Sequence, residues 1–244
     1  MHTLLVLAYT VRGKMDEPWR FDELAHAGEE HLDPDLVARY DEKAPFDPSH
    51  EIQHLLEMGL ADDDVVIDLG AGTGAFAIEV AIHCDRVVAV DISPMMVEMI
   101  RDRVETSDQD NIEVRQAGFL TYRHTGRDAS FVFSRNALHH LPDFWKVAAL
   151  SNIAEMLQDG GILRLRDLVY SFEPSQSEQA IETWLDGMTD TAFPQGELHA
   201  HLRDEWSTYD FLMEAMLEST GFDIIDASYT DGFYAAYTCH VATN

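Results

Sequence analysis

The chain has 244 residues, of which 46% are hydrophobic and 25% are charged. That mix is typical of a folded protein that buries a core without help from disulfides or metals. Its two cysteines, Cys84 and Cys239, exclude a disulfide-rich secreted scaffold and a cysteine-rich zinc module. No apolar run reaches the roughly 18 residues of a membrane-spanning helix. We therefore expect a cytoplasmic protein with no membrane association.

Acidic residues dominate the charge balance. Asp and Glu total 45 against 16 for Lys and Arg, which gives a formal net charge of -29. Nucleic-acid affinity depends on basic residues that displace counterions, so this balance argues against DNA or RNA as a partner. Such a surface is typical of a protein from a high-salt cytosol, where salt screens self-repulsion, and equally of a merely acidic protein.

The first sixty residues precede the regular part of the pattern. Residues 1–14 contain a short apolar stretch whose basic residues follow it, the reverse of a secretory signal, and Met15 is an alternative start. We assign residues 1–14 no role. Residues 15–60 are polar and punctuated by prolines, and they predict a helical lead-in that ends in a helix over 50–60.

From residue 65 onward, short apolar runs alternate with helical patterns. Strands are predicted over 65–69, 86–91, 111–116, 129–134 and 161–169, with helices over 75–82, 93–104 and 143–158. This alternation is typical of βαβ units that form a parallel sheet with helices on both faces.

The C-terminal part breaks the alternation. Asp231-Gly232 separates two apolar runs, 222–228 and 233–241, which predicts an antiparallel hairpin. Residues 172–220 are longer than one crossover helix requires, so we predict a crossover helix plus a helical cap insertion before the hairpin. We find no linker, and residues 15–244 are predicted to form one domain.

A glycine-rich turn carries the clearest chemical signal. Gly70, Gly72 and Gly74 lie in the run DLGAGTG between the first strand and its helix, where backbone N–H groups are free to meet a ligand. Asp91 ends the next strand, where a carboxylate accepts hydrogen bonds from both hydroxyls of a ribose. Together they predict a ligand that contains a nucleoside.

Two cofactor classes share this geometry. A nicotinamide dinucleotide site usually shows G-x-G-x-x-G, whereas the glycines here are Gly70, Gly72 and Gly74, with Phe76 rather than a glycine two residues further on. Asp68 is poorly placed beside a pyrophosphate and suits a cationic amino or sulfonium group. An NAD(P)-dependent oxidoreductase is therefore the weaker alternative.

The motifs DLGAGTG, VVAVDIS, SRNALHHLPD and LQDGGILRLRDL resemble those of class I S-adenosylmethionine-dependent methyltransferases of the small-molecule type. The resemblance implies an α/β fold with a Rossmann-like, seven-stranded, mostly parallel sheet whose last strand is antiparallel. It implies S-adenosylmethionine as cofactor and S-adenosylhomocysteine as product. The cofactor-binding residues that it implies are Tyr40, Asp68, Gly70, Gly72, Thr73, Asp91, Ile92, Ala117, Gly118, Phe119 and Asn136.

Each group of these residues would contact a different part of the cofactor. The resemblance places Asp68 and the glycine turn around the methionine part, Asp91 on the ribose, and residues 117–119 on the adenine. Many relatives carry an Asp where this chain has Gly118, accepting from the adenine amino group. We expect weaker discrimination among cofactors here as a result.

Three residues are candidates for the acceptor side. His139 and His140 follow the fourth strand, where an imidazole can act as general base or orient an acceptor, although one of such a pair is often structural. Arg166 ends the fifth strand and suits an anionic acceptor, with pairing to Asp167 or another carboxylate as the alternative. No metal site is predicted, because no further His/Cys cluster with ligand spacing accompanies the pair.

Aromatic residues of the cap, Trp184, Phe193, Trp206 and Tyr209, are predicted to pack or to line the acceptor site. The sequence thus predicts methyl transfer to a small molecule, with a non-catalytic cofactor-binding protein as the alternative. The identity of the acceptor and the oligomeric state are not encoded in any pattern that we find.

Overall fold

The structure, a computed structural model, describes residues 18–188 and 194–242; the segment 1–14 and Phe193 lie outside them. The strands are β1 (Val65–Leu69), β2 (Arg86–Asp91), β3 (Ile112–Gln116), β4 (Ala129–Arg135), β5 (Leu157–Tyr170), β6 (Thr208–Tyr209), β7 (Phe222–Thr230) and β8 (Tyr234–Val241). The α-helices are α1 (Pro34–Val37), α2 (Tyr40–Lys43), α3 (Ser49–Glu57), α4 (Ala75–Val80), α5 (Pro94–Thr106), α6 (Asp143–Met156), α7 (Ser177–Gly187), α8 (Gln195–Asp204) and α9 (Asp210–Ser219). Short 3-10 turns cover Leu24–His26, Glu29–His31, Ala81–His83, Leu138–His140 and Pro174–Gln176.

The strands form one sheet in the order β3-β2-β1-β4-β5-β8-β7. Strands β1 to β5 run parallel, and β8 pairs antiparallel with both β5 and β7. This is the mostly parallel, seven-stranded arrangement that the sequence predicts. The two-residue β6, which pairs with β5, was not predicted, because a strand of that length leaves no periodic pattern.

Helices cover the sheet on both faces, as predicted from the continuous apolar runs. Alternate residues of β1 point to opposite faces. Val65 and Ile67 lie in a core with Leu150 of α6 and Met213 of α9. Val66 lies in a second core, which includes Leu55 of α3, Phe76 of α4 and Ile100 of α5.

The described part of the segment between β5 and β7 contains three α-helices. We call α7, α8 and the residues that follow α8 as far as Tyr209 the cap; Trp184 of α7 and Leu198 of α8 pack with Phe233 in a small core of their own. Helix α9 then leads into β7. None of the helices in the described ranges combines the length and apolar character that a membrane span requires.

Candidate active site

The turn between β1 and α4 borders a cavity at the carboxyl edge of the sheet, which we call the cofactor cavity. Gly70 and Gly72 have φ angles of 78° and 54°, which residues with a Cβ rarely adopt. A Cβ at position 70 would lie 2.5 Å from the Cβ of Ala137. Only glycine therefore allows the turn after β1 to approach the loop after β4 this closely.

Every residue predicted to bind the cofactor borders this one cavity. They come from the part of the chain before α3, residues 18–48, which we call the N-terminal segment, and from the glycine turn, the ends of β2 and β3, and the loop after β4. They are Tyr40, Asp68, Gly70, Gly72, Thr73, Asp91, Ile92, Ala117, Gly118, Phe119 and Asn136. The fold thus brings together residues that the sequence separates; the part of the ligand that each contacts stays a prediction.

Asp91 ends β2 with its carboxylate against the glycine turn. Its Oδ2 accepts a hydrogen bond from the Gly72 N–H, and its Oδ1 accepts one from the Ser93 N–H, each at 2.8 Å. Burial raises the pKa of Asp91, while these backbone donors oppose the rise. Because each carboxylate oxygen accepts at two positions, Asp91 retains acceptor capacity for ligand hydroxyls.

Asp68 lies at the end of β1, and its Oδ2 is buried without a hydrogen-bond partner among the described residues. Burial, together with the nearby charge of Asp91, raises the pKa of Asp68 to about 8. A buried polar atom without a partner costs about 1–3 kcal/mol. The position therefore favours a ligand that brings a donor, and a cationic amino group would also lower the pKa of this carboxyl.

Glu23 is a further carboxylate of the cofactor cavity, and no sequence pattern points to it. Its Oε2 accepts a hydrogen bond from the Leu120 N–H at 3.1 Å, across 97 residues of chain. A Cβ at Gly118 would lie 2.6 Å from that same oxygen. Burial raises the pKa of Glu23 to about 7, although hydrogen bonds from the Leu120 and Phe119 backbone lower it. The Glu23 carboxylate thus occupies the space that an acidic side chain at position 118 would need.

The N-terminal segment is fastened over the glycine turn. Thr73 Oγ1 donates a hydrogen bond to Asp41 Oδ1 at 2.7 Å, and Arg103 forms an ion pair with the other oxygen of Asp41. Ser93 Oγ donates to the carbonyl of His31. Tyr40, within this segment, has its pKa raised by burial. Thr73 therefore anchors the segment that covers the cavity.

A second cavity, which we call the acceptor chamber, adjoins the first. Its walls are the N-terminal segment and the cap, including Leu198 of α8 and Glu205 just after it. The residues that border both cavities include His31, Tyr40, Arg135, Asn136 and His140. A ligand in one cavity would therefore meet a ligand in the other beside these side chains.

His139 is buried between two carboxylates. Its Nδ1 lies 2.5 Å from Asp167 Oδ1, and its Nε2 lies 3.3 Å from Glu205 Oε2. Burial lowers the pKa of His139, but the two carboxylates outweigh burial and raise the pKa to about 9. In the ligand-free protein at neutral pH, His139 is therefore an imidazolium.

His140, the next residue, has the opposite character. Burial and the charge of His139 hold its pKa well below the usual histidine range. Its Nδ1 is buried and lacks a hydrogen-bond partner within the described ranges. His140 is therefore a neutral imidazole with acceptor capacity at the junction of the two cavities.

The Arg166 side chain borders neither of the two cavities, and its role toward an acceptor stays a prediction. Its Nη1 donates to Oε1 of Glu51 at 2.7 Å, and Arg164 Nε donates to Oε2 of the same carboxylate at 2.8 Å. Successive residues of a strand point to opposite faces. Arg164 and Arg166 therefore turn toward α3, and Asp167 turns toward His139. The alternative of carboxylate pairing is what the structure contains, with Glu51 as the partner.

Arg135 is the cation that borders both cavities. It ends β4, and its guanidinium lies 4.1 Å from the ring centroid of Phe46. Burial and the charge of Arg166 lower its pKa, but a guanidinium stays charged at neutral pH. Arg135 belongs to the motif SRNALHHLPD and ends a parallel strand. That position at the carboxyl edge of the sheet could have identified it as a candidate site residue.

The cap aromatics mainly pack. Trp184 stacks on Phe233 with ring centroids 4.8 Å apart, and Trp206 meets Phe21 edge-on at 5.4 Å. Tyr209 packs against Tyr170 at 5.8 Å. Trp184 also borders the acceptor chamber.

Comparison with known proteins agrees with this architecture. Residues 66–161 match a family model described as a methyltransferase domain. A protein described as an uncharacterized methyltransferase, from Exiguobacterium sibiricum, is 27% identical over 164 residues, which cover 67% of this chain and 71% of that protein. A ribosomal RNA small subunit methyltransferase A from Thermotoga petrophila is 38% identical over only 64 residues, 26% of this chain and 24% of its own length.

Solved structures share the fold. The crystal structure of the N-methyltransferase NodS from Bradyrhizobium japonicum WM9, in complex with S-adenosyl-L-homocysteine, matches with a TM-score of 0.60 at 15% identity. The match covers 91% of this chain and 100% of that one. With the methyltransferase-domain match over residues 66–161, the sheet order and the carboxylate-lined cavity, these likenesses support a class I S-adenosylmethionine-dependent methyltransferase.

Proposed function

We propose that this enzyme methylates a small molecule in the cytoplasm and that the acceptor binds in the acceptor chamber. The observation that carries the proposal is the wall that the two cavities share. Tyr40, Asn136 and His140 border both, so an acceptor in the chamber would lie beside the methionine end of the cofactor. A chamber enclosed by a cap and an N-terminal segment suits a compact ligand.

Bound S-adenosylmethionine supplies a methyl group on a positively charged sulfur. Asp68, whose buried Oδ2 lacks a partner, would accept hydrogen bonds from the amino group of the methionine part. Asp91 would accept from the ribose hydroxyls. Ile92 and Phe119 would flank the adenine.

Glu23 would accept a hydrogen bond from the adenine amino group, in place of the Asp that Gly118 lacks. The support is geometric, since the Glu23 carboxylate lies where an acidic side chain at position 118 would extend. This assignment replaces the expectation of weaker discrimination with a specific acceptor atom. It also gives the N-terminal segment a part in cofactor recognition.

Acceptor activation would fall to His140 rather than to His139. A general base needs a free lone pair at the working pH, which the neutral His140 has and the imidazolium of His139 lacks. Arg135 would bind an anionic group of the acceptor, since a guanidinium suits carboxylates and phosphates. The chain would mainly position the reactants and exclude water.

Charge supports a small molecule over a nucleic acid. A net charge of -29 opposes approach to a phosphate backbone. The likeness to a ribosomal RNA methyltransferase spans only 26% of this chain.

Methyl-labelled S-adenosylmethionine tests the proposal. We expect label in a small-molecule fraction of a cell extract, with S-adenosylhomocysteine formed in equal amount. Label in RNA supplied in parallel would contradict the small-molecule acceptor. S-adenosylhomocysteine binding without any labelled product would favour the non-catalytic alternative, and His140→Ala serves as the control that should bind but not transfer.

A further inference from the structure

Three side chains that the sequence keeps apart meet at the wall of the acceptor chamber. His139 and His140 lie on the 3-10 turn after β4, and Glu205 follows α8 in the cap. One ring nitrogen of each histidine and one oxygen of Glu205 all lie within 4.8 Å of one another. We infer that these three residues bind a divalent transition-metal ion of the zinc class. The sequence predicted no metal site because no further ligand was found near the histidine pair. In the structure, Glu205 lies beside the pair and is a third ligand.

One pair of ligand atoms already has the spacing of a metal centre. His139 Nε2 and Glu205 Oε2 lie 3.3 Å apart. Zinc binds nitrogen and oxygen ligands at about 2.0–2.2 Å in tetrahedral geometry, which puts neighbouring ligand atoms roughly 3.3–3.6 Å apart. Two histidines and one carboxylate are also a ligand set found in zinc sites that keep a fourth position open.

Neighbouring groups hold the ligands in binding geometry. Asp167 Oδ1 lies 2.5 Å from His139 Nδ1, so the Nδ1–H donates to Asp167 and Nε2 is left to bind a metal. Carboxylates commonly orient metal-binding histidines in this way. His201 Nδ1 contacts Glu205 Oε2, and Ser207 Oγ lies 3.1 Å from His201 Nε2. His201, held in turn by Ser207, therefore orients the carboxylate of Glu205.

A second observation points to a missing ligand. The Nδ1 of His140 is buried and has no hydrogen-bond partner in the part of the chain that the structure describes. Asp167 and Glu205 pair with the His139 imidazolium in the ligand-free protein. A metal ion that displaces the Nε2 proton of His139 would keep a positive partner beside these carboxylates.

The position of the ion would give it a function, and this step rests on the proposed methyl transfer in the acceptor chamber. His139, His140 and Glu205 all border that chamber, and His140 also borders the cofactor cavity. An open coordination position would face the chamber. It would take an oxygen or sulfur of the acceptor, such as a hydroxyl, carboxylate or thiol group, and orient that atom toward the cofactor. With the ion bound, His140 would be a metal ligand, and the ion would replace His140 as the group that activates the acceptor.

Metal titration of the full-length, tag-free protein after chelator treatment tests the site. We expect calorimetry with Zn²⁺ to show one ion per chain and Co²⁺ to give the intense visible absorption of a tetrahedral centre. Glu205→Gln and His140→Ala should each bind Zn²⁺ about tenfold more weakly or worse. His199→Ala, which alters an exposed histidine of α8, is the matched control and should bind like the wild type.

Titration of the same samples with S-adenosylhomocysteine separates the metal site from the proposed function. Zinc binding without S-adenosylhomocysteine binding would support the metal site and contradict the cofactor assignments. S-adenosylhomocysteine binding without zinc binding would overturn the metal site, and the cluster would then be an ion-paired clamp for the cap. Equal zinc affinity in the wild type and in both ligand variants, with circular dichroism showing that all are folded, would overturn it as well.

Discussion

The carboxylate of Glu23 lies where a side chain at Gly118 would lie. A Cβ at Gly118 would stand 2.6 Å from Glu23 Oε2, so the two positions cannot both carry large side chains. The N-terminal segment therefore supplies an acidic group to a turn that lacks one. If the Glu23 carboxylate accepts a hydrogen bond from the adenine amino group, a carboxylate at residue 118 could do the same. Moving the carboxylate from residue 23 to residue 118 should then preserve S-adenosylhomocysteine binding.

We predict that Glu23→Ala and Gly118→Asp each weaken S-adenosylhomocysteine binding by about tenfold, the first by loss of a charged acceptor and the second by collision with Glu23. The double variant should recover to within about threefold of the wild type, because the Asp takes the vacated space. Calorimetric titration of all four proteins measures the coupling. Additive losses in the double variant would show that Glu23 and Gly118 do not share one role.

Asp91→Ala should weaken S-adenosylhomocysteine binding by about tenfold or more, because the ribose hydroxyls and the N–H groups of Gly72 and Ser93 lose their acceptor. The measurement is again a calorimetric titration. Asp85→Ala, at an exposed carboxylate before β2, is the control and should bind normally. Unchanged affinity in Asp91→Ala would contradict our placement of the ribose.

His139 should make stability depend on pH. Its pKa is raised from 6.5 to about 9 in the folded protein. Its stabilising effect is therefore fully present below about pH 6.5 and is lost as the pH rises through about 9. In chelator, the difference in Tm between the wild type and His139→Gln should narrow over that range. A difference that is constant or grows with pH would contradict the ion-paired imidazolium.

The two arginines on Glu51 should differ in their effect on stability. The Arg164 side chain is 9% exposed and that of Arg166 is 39% exposed, while Glu51 is 5% exposed. Arg164→Ala should lower the free energy of unfolding by about 3–5 kcal/mol, because it breaks a buried pair. Arg166→Ala should cost about 0–1 kcal/mol.

Denaturant unfolding measures both variants, and S-adenosylhomocysteine binding should be normal in Arg166→Ala. A strong loss of cofactor binding on removal of Arg166 would show that it reaches the site after all.

The sequence predicted the parts of the site that depend on local order along the chain. The shared location of the glycine turn, Asp68 and Asp91 could be predicted from the order strand, turn, helix, strand along the chain. Parallel strands bring their carboxyl ends to one edge of the sheet. The buried strands and the final hairpin were recognisable because each leaves a local pattern, an apolar run for a strand and Asp-Gly for the hairpin turn.

The residues that the sequence did not reveal depend on contacts between distant segments. Glu23 meets Leu120 across 97 residues, and Glu205 meets His139 because the cap folds back over the sheet. Neither contact produces a residue spacing that can be recognised in the sequence. The partner of Arg166 was also hidden from the sequence, because Glu51 lies 115 residues earlier in the chain.

Titration of the wild-type protein with S-adenosylhomocysteine, at low salt and in molar KCl, tests most directly whether the carboxylate-lined cavity is a cofactor site. We predict one molecule bound per chain with an affinity on the order of micromolar, and no response to NADH. A folded sample that binds no S-adenosylhomocysteine in either buffer would contradict the assignment of the cavity and, with it, the proposed methyl transfer.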